Sequence, residues 1–178
     1  MQRQLPQITQ RLGATLEKLR TPQRVEGDAV DAAIWWEGLK QRYAGRGIRF
    51  AAGKVSATVR IPGELFDSVA DNLVENALAK ASEGRPVDVE VRFSSDRGGA
   101  LSVCDSGAPV ARAIAARLFA AAVPSQTGLG IGLYHAAKHA ERLGYRLELS
   151  DNEAGRVRFT LSRAAAPVTE ADLRRSVG

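Results

Sequence analysis

Asp71-Asn72-Leu73-Val74-Glu75-Asn76-Ala77-Leu78-Ala79-Lys80 places two asparagines inside a run whose apolar residues recur at helical spacing. Pro62-Gly63 precedes it, and Phe66, Val69, Ala70, Leu73 and Ala77 form one apolar stripe, which predicts a long helix over Glu64–Ser82. Asn72 and Asn76 are four residues apart and stack on one face, with Lys80 a further turn along, at the rim of the core. Asparagine is a poor helix former, so the pair needs a reason. A solvated polar face is one. The other is that a carboxamide oxygen is a neutral, hard ligand for Mg2+, which keeps its remaining positions for water and phosphate oxygens. This stretch alone leaves both open.

Upstream, Leu5, Ile8, Leu12, Leu16 and Leu19 predict a helix over Gln2–Leu19, stopped by Thr21-Pro22. It is either a surface helix of its own domain or the end of a dimerisation stalk that pairs with another chain. A short helix is expected over Ala29–Tyr43, then strands Ile48–Ala52 and Ser56–Ile61 around a Gly53-Lys54 turn. Downstream, Val87–Phe93 and Ala100–Asp105 alternate apolar and polar residues about the turn Ser94–Gly99, the pattern of an antiparallel hairpin. An alanine-rich segment, Ala111–Ala122, is broken by Pro124 and followed by a helix over Ile131–Leu143. Arg146–Leu149 and Arg156–Leu161 form a final hairpin around Asp151–Gly155, and 164–178 reads as a loose tail. Strand pairs interleaved with helices predict an α/β (α+β) two-layer sandwich, a mixed, mostly antiparallel sheet covered on one face by helices. The expected division is 1–25 as the N-terminal helix, 26–163 as the main domain and 164–178 as the tail. No G-x-x-x-x-G-K-[ST] loop is present, and the glycine cluster does not follow a strand as a dinucleotide fingerprint must.

A chain of 178 residues suits one domain with a real core. No apolar run is long enough to span a bilayer, and Met1–Arg11 lacks the apolar core of a signal peptide, so a cytoplasmic location is expected. The single cysteine, Cys104, excludes an internal disulfide and is expected as a small buried hydrophobe. The net charge of +5 invites a nucleic-acid reading, but the arginines are scattered and no element alternates basic with exposed aromatic residues, so no nucleic acid is expected. His135 and His139, four apart on one helix, lack a third metal ligand and read as structural.

Two further clusters carry chemistry. Asp105-Ser106-Gly107-Ala108-Pro109 ends a strand: the aspartate can accept from a nucleobase amine and the glycine lets backbone turn or approach a ligand, although strand-ending turns of this kind are common. Gly128-Leu129-Gly130-Ile131-Gly132-Leu133 opens a helix, where backbone N–H groups and the helix dipole favour phosphate; the alternative is a hinge.

In this order the clusters resemble the superfamily of gyrase, the heat-shock ATPase chaperones, histidine kinases and MutL. Within it, they resemble the catalytic and ATP-binding domain of bacterial two-component sensor histidine kinases. Asn72-Leu73-x-x-Asn76-Ala77 is similar to that family's N box, Asp105-x-Gly107 to its first glycine box, Leu118-Phe119 to its F box, and Gly128-x-Gly130-x-Gly132-Leu133 to its second glycine box, over roughly Ile48–Leu161. The resemblance implies a Bergerat-type (GHKL) fold binding ATP with Mg2+. Asn76 would be the metal ligand and Asn72 a phosphate or metal-water contact, the two forming the catalytic pair, with Lys80 further along the same face. Asp105 and Gly107 would hold adenine, and Val110–Thr127 would be a lid anchored by Phe119, with Ser125, Gln126 and Thr127 nearest the phosphates. Gly128, Leu129, Gly130, Ile131, Gly132 and Leu133 would line the nucleotide. The implied partners are a histidine-bearing dimerisation domain of the same receptor, a response regulator and a second copy in the full-length protein, as the cytoplasmic portion of an inner-membrane sensor.

This chain departs from the family at two places. Pro109 replaces the second glycine of the first glycine box and removes a donor, and Ala79 stands where a phosphate-contacting base is common. Lys80, turned about 100° from that position, is a poor substitute, which leaves Arg112 or Arg117 of the lid to supply charge.

Transfer to water benefits from a positioned base. In the hydrolytic relatives that base is a glutamate four residues before the metal asparagine; here the position is Asn72, and Glu75 is turned about 100° from Asn76. A neutral imidazole already offers a lone pair, so the arrangement suits transfer to histidine, with the acceptor outside this chain. Two alternatives remain: a stand-alone anti-sigma-factor serine kinase of the same superfamily, and a non-catalytic nucleotide-sensing module.

Overall fold

Alternation of apolar and polar residues builds the main sheet of the computed structural model, which describes residues 29–81, 86–121 and 131–165. β1 is Ala29–Asp31, α1 Ala32–Arg42, β2 Ile48–Ala52, β3 Arg60–Pro62 and α2 Gly63–Ala81. β4 (Val89–Ser94) and β5 (Ala100–Asp105) follow, then a single helical turn α3 (Arg112–Ala115), α4 (Ile131–Arg142), β6 (Tyr145–Glu153) and β7 (Arg156–Arg163). The five strands run in the order β2-β4-β5-β7-β6, with β2 parallel to β4 and the other neighbours antiparallel. Val89, Val91, Phe93, Leu101, Val103, Val157, Phe159 and Leu161 point into the core, while Glu90, Arg92, Ser102, Cys104, Arg158 and Thr160 take the opposite face. The expected two-layer sandwich is the architecture observed.

Helices α1, α2 and α4 cover the apolar face. α2 buries Leu65, Phe66, Val69, Ala70, Leu73, Val74 and Ala77, and α4 buries Leu133, Ala136, Ala137 and Ala140 against it. Trp35 and Trp36 of α1 pack on Phe93 at ring-centroid distances of 5.1 and 5.5 Å, and Trp35 meets Phe66 edge-on at 5.3 Å.

Three local expectations are corrected. The first helix begins at Ala32 because Asp31 caps it, accepting from the N–H groups of Ala33 at 2.8 Å and Ile34 at 3.1 Å, and Ala29–Asp31 instead pairs with β3. The strand expected over Ser56–Ile61 shrinks to β3 and does not pair with β2. Side chains claim its first half: Ser95 Oγ accepts from the Ser56 N–H at 2.9 Å and Ser56 Oγ from the Thr58 N–H at 3.3 Å, local bonds that compete with a ladder. Cys104 is half-buried on the open face of the sheet, outside the core, because it alternates with Val103 and Asp105. The expected helix Gln2–Leu19 and most of the expected tail lie outside the described residues.

Candidate functional site

Two polar stripes run along α2. Asp67, Asp71 and Glu75 face α1 and the turn after it: Asp67 accepts from Trp35 Nε1 at 3.0 Å and Arg42 at 2.7 Å, Asp71 from Arg42 at 2.8 Å and the Tyr43 hydroxyl at 2.9 Å, and Glu75 pairs with Arg46 at 2.7 Å. Burial and the neighbouring Asp71 carboxylate push the Tyr43 hydroxyl pKa upward. Asn72, Asn76 and Lys80 face the other way.

Asn72 is fixed by its own helix and by α4. Its Nδ2 donates to the Ser68 carbonyl at 2.6 Å, and its Oδ1 lies only 2.1 Å from where a Cβ on Gly132 would stand. A side chain on Gly132 would therefore force the Asn72 carboxamide off its bond to Ser68, and glycine at this position lets α4 lie beside the asparagine as it stands. Asn76, one turn along, is half-buried, and among the described residues its carboxamide has no hydrogen-bond partner. Lys80 reaches the end of β5, where its Nζ lies 2.9 and 2.8 Å from the two oxygens of Asp105, which is 5% exposed. Gly107 N–H also donates to Asp105 Oδ1 at 2.9 Å.

The loop after Asp105 is held from three sides. Ser106 N–H donates to Asp88 O at 3.0 Å while Ser106 Oγ accepts from the Asp88 N–H at 2.8 Å. Gly155 N–H donates to Gly107 O at 3.2 Å. Asn152 grips Val110 reciprocally, Oδ1 accepting from its N–H at 2.8 Å and Nδ2 donating to its carbonyl at 2.9 Å. These bonds fix the loop around Pro109, which has no N–H to give. Sequence reasoning missed Asn152 and Asp88; the one available signal was Asn152 in a polar turn, which ordinarily marks the turn itself.

The structure thus brings Asn72, Asn76, Lys80, Asp105, Gly107 and Gly132 to one end of the apolar layer. Phe119 is set apart, its ring edge-on to Phe159 at 6.4 Å, and Leu118 beside it is buried. Leu133 is fully buried in the core, whereas Ile131 is 57% exposed. Ser125, Gln126, Thr127, Gly128, Leu129 and Gly130 lie outside the described residues. Arg112 and Arg117 are exposed. His135 is exposed on α4; His139 is half-buried, and burial, with Arg142 nearby, holds its pKa below the usual range. A groove of about 430 Å³, lined by Arg92, Ser94, Ser102, Arg158 and Thr160, opens on the other face of the sheet, away from these groups.

Residues 63–166 match the model of the histidine kinase-, DNA gyrase B- and HSP90-like ATPase family. Among solved structures, the chain is similar to the catalytic domain of the histidine kinase ThkA, with a TM-score of 0.63 and 18% identity over 80% of this chain and 100% of that one. It is also similar to the Acinetobacter baumannii histidine kinase AdeS, with a TM-score of 0.64 and 17% identity over 89% and 81% of the two chains. ThkA in complex with the response regulator TrrA matches with a TM-score of 0.61 and 15% identity, over 89% of this chain and 49% of that one. At these identities the likeness is one of fold. No curated protein matches the chain. Among the described residues no helix is long and apolar enough to cross a membrane.

Proposed function

Because the chain belongs to the family of histidine kinase-, DNA gyrase B- and HSP90-like ATPases, whose model matches residues 63–166, we propose that it is the catalytic domain of a two-component sensor histidine kinase. In this reading it binds ATP with Mg2+ and delivers the γ-phosphoryl group to a histidine on a separate dimerisation domain, from which a response regulator receives it. The observation that carries the reading is the direction of the carboxylates on α2. Glu75 is committed to Arg46 at 2.7 Å and Asp71 to Arg42 and Tyr43, so the stripe facing Gly132 offers amides and an ammonium and no carboxylate base. A water nucleophile would want such a base, whereas a neutral imidazole brings its own lone pair.

The residues present fit the nucleotide and its cation. Gly132 leaves backbone open beside Asn72, Asn76 holds an uncommitted carboxamide among the described residues, and Asp105 supplies a buried acceptor. Bound Mg2+ would neutralise phosphate charge. Asn76 would hold it, Asn72 would position phosphate or metal-bound water, and Asp105 would orient the base. The fold of ThkA, solved with a response regulator, supports that class of downstream partner.

The test is phosphotransfer from γ-labelled ATP in Mg2+, with a histidine-bearing dimerisation helix supplied in trans or fused ahead of Met1. Acid-labile, base-stable label is expected on that helix. Acid-stable label on a serine, or label mapped to His135 or His139 of this chain, overturns the assignment.

A further inference from the structure

The amide stripe of α2 ends at Lys80, and Lys80 sits at the base end of the site. Its Nζ is 2.9 and 2.8 Å from the two oxygens of Asp105 and 3.4 Å from the Ala108 carbonyl. Its stem crosses Gly107, where a Cβ would stand 3.0 Å from Lys80 Cδ and 2.9 Å from Asp105 Oδ1. With the Lys80 side chain 19% exposed and that of Asp105 5% exposed, the pair belongs to the interior of the site. Lys80 is one helical turn beyond Asn76, on the side away from Asn72, which places its charge at the carboxylate that would read the base.

Resting on the Mg-ATP reading above, we propose that Lys80 is a base-selectivity residue, through which this chain accepts purine nucleoside triphosphates of both polarities, guanine as well as adenine. A carboxylate alone accepts from the exocyclic amine of adenine and meets the guanine carbonyl acceptor to acceptor. An ammonium beside it changes that balance. The two carboxylate oxygens have about four lone-pair positions. Lys80 takes one on each oxygen and the Gly107 N–H takes another on Oδ1, which leaves a position on Oδ2 for an amine. An ammonium has three protons. Two are used on Asp105, and among the described residues the third has the Ala108 carbonyl at 3.4 Å, a long bond that it can exchange for one to a base carbonyl. An amine at the base therefore finds Oδ2, and a carbonyl finds Lys80.

Calorimetric titration of the chain with Mg-ATP and with Mg-GTP tests this. For the native chain both should bind, with affinities within about threefold of each other. Lys80→Met keeps the stem over Gly107 and removes the donor, so the ATP-to-GTP preference should rise by about tenfold or more, mainly through loss of GTP. A native preference for ATP of about thirtyfold or more overturns the proposal, whether or not Lys80→Met folds, and so does an unchanged ratio in a folded Lys80→Met. ATP binding that survives Asn76→Ala unchanged fails the Mg-ATP reading instead, and binding of neither nucleotide overturns both.

Discussion

The two polar stripes of α2 lie one residue out of phase, about 100° apart on the helix, and the molecule treats them oppositely. Along Asp67, Asp71 and Glu75 every carboxylate is answered by α1 or the turn that follows it, through Trp35, Arg42, Tyr43 and Arg46. Along Asn72, Asn76 and Lys80 the partnering is uneven: Asn72 donates to Ser68 O, Lys80 is held by both Asp105 oxygens and the Ala108 carbonyl, and the Asn76 carboxamide has no partner among the described residues. A saturated stripe holds two helices together. A half-buried carboxamide without a described partner, on a residue that lies poorly in a helix, points to a use other than the fold.

The comparison breaks most visibly at Asn76. Even changes behind a metal ligand typically cost ~10–100-fold in metal affinity, so Asn76→Ala should lower Mg-dependent ATP affinity by about 100-fold or more while leaving thermal stability nearly unchanged. Unchanged affinity by calorimetry would make the amide stripe a mere solvated face. Gly132→Ala comes next. The new methyl would stand 2.1 Å from Asn72 Oδ1, and overpacking of this kind costs about 1–3 kcal/mol. Denaturant unfolding measures the loss, and a partial recovery in Asn72→Gly/Gly132→Ala would locate the clash at that contact.

On the acidic stripe the signs reverse. Asp71→Ala should cost about 1–2 kcal/mol of stability with nucleotide affinity within about twofold of native. Most of that loss belongs to the buried Tyr43 hydroxyl, because Arg42 and Asp71 are 41% and 38% exposed and such ion pairs contribute little. A large fall in affinity would mean that the stripes are not independent.

The smallest effect is on α4, which closes the amide stripe. The folded pKa of His139 is lowered, first by burial and then by Arg142, with Glu64 at the foot of α2 opposing. The unfolded chain therefore binds the proton more tightly, so stability is full above the ordinary value of 6.5 and declines as pH falls through it toward the lower folded pKa. His139→Gln should flatten that part of the stability–pH curve measured by denaturant unfolding; an unchanged slope would assign it elsewhere.

Much of this was legible because it is local. The apolar stripe of α2 and the alternation of β4 and β5 each repeat within a few residues, and the periods identify their elements. Pairings between distant segments were hidden. β1 and β3 find each other across the whole of α1 and β2, and β3 lost its first half to hydroxyls of Ser56 and Ser95, which no periodicity records. Cys104 illustrates the same limit: its residue type points to a core, and the register of β5 turns it to the open face.

The amino-acid sequence by itself determined the phase of Asn72, Asn76 and Lys80 on one helical face, the carboxylate ending β5 and the glycines opening α4, because helical phase and turn chemistry depend on neighbours in the chain. Only the tertiary structure decided what these groups meet. It seated Lys80 on Asp105, turned Glu75 onto Arg46, and set Gly132 against Asn72, where a methyl group would displace the carboxamide. Those contacts join residues far apart in the chain, and their geometry follows from how the helices pack on the sheet, a collective property of the whole core.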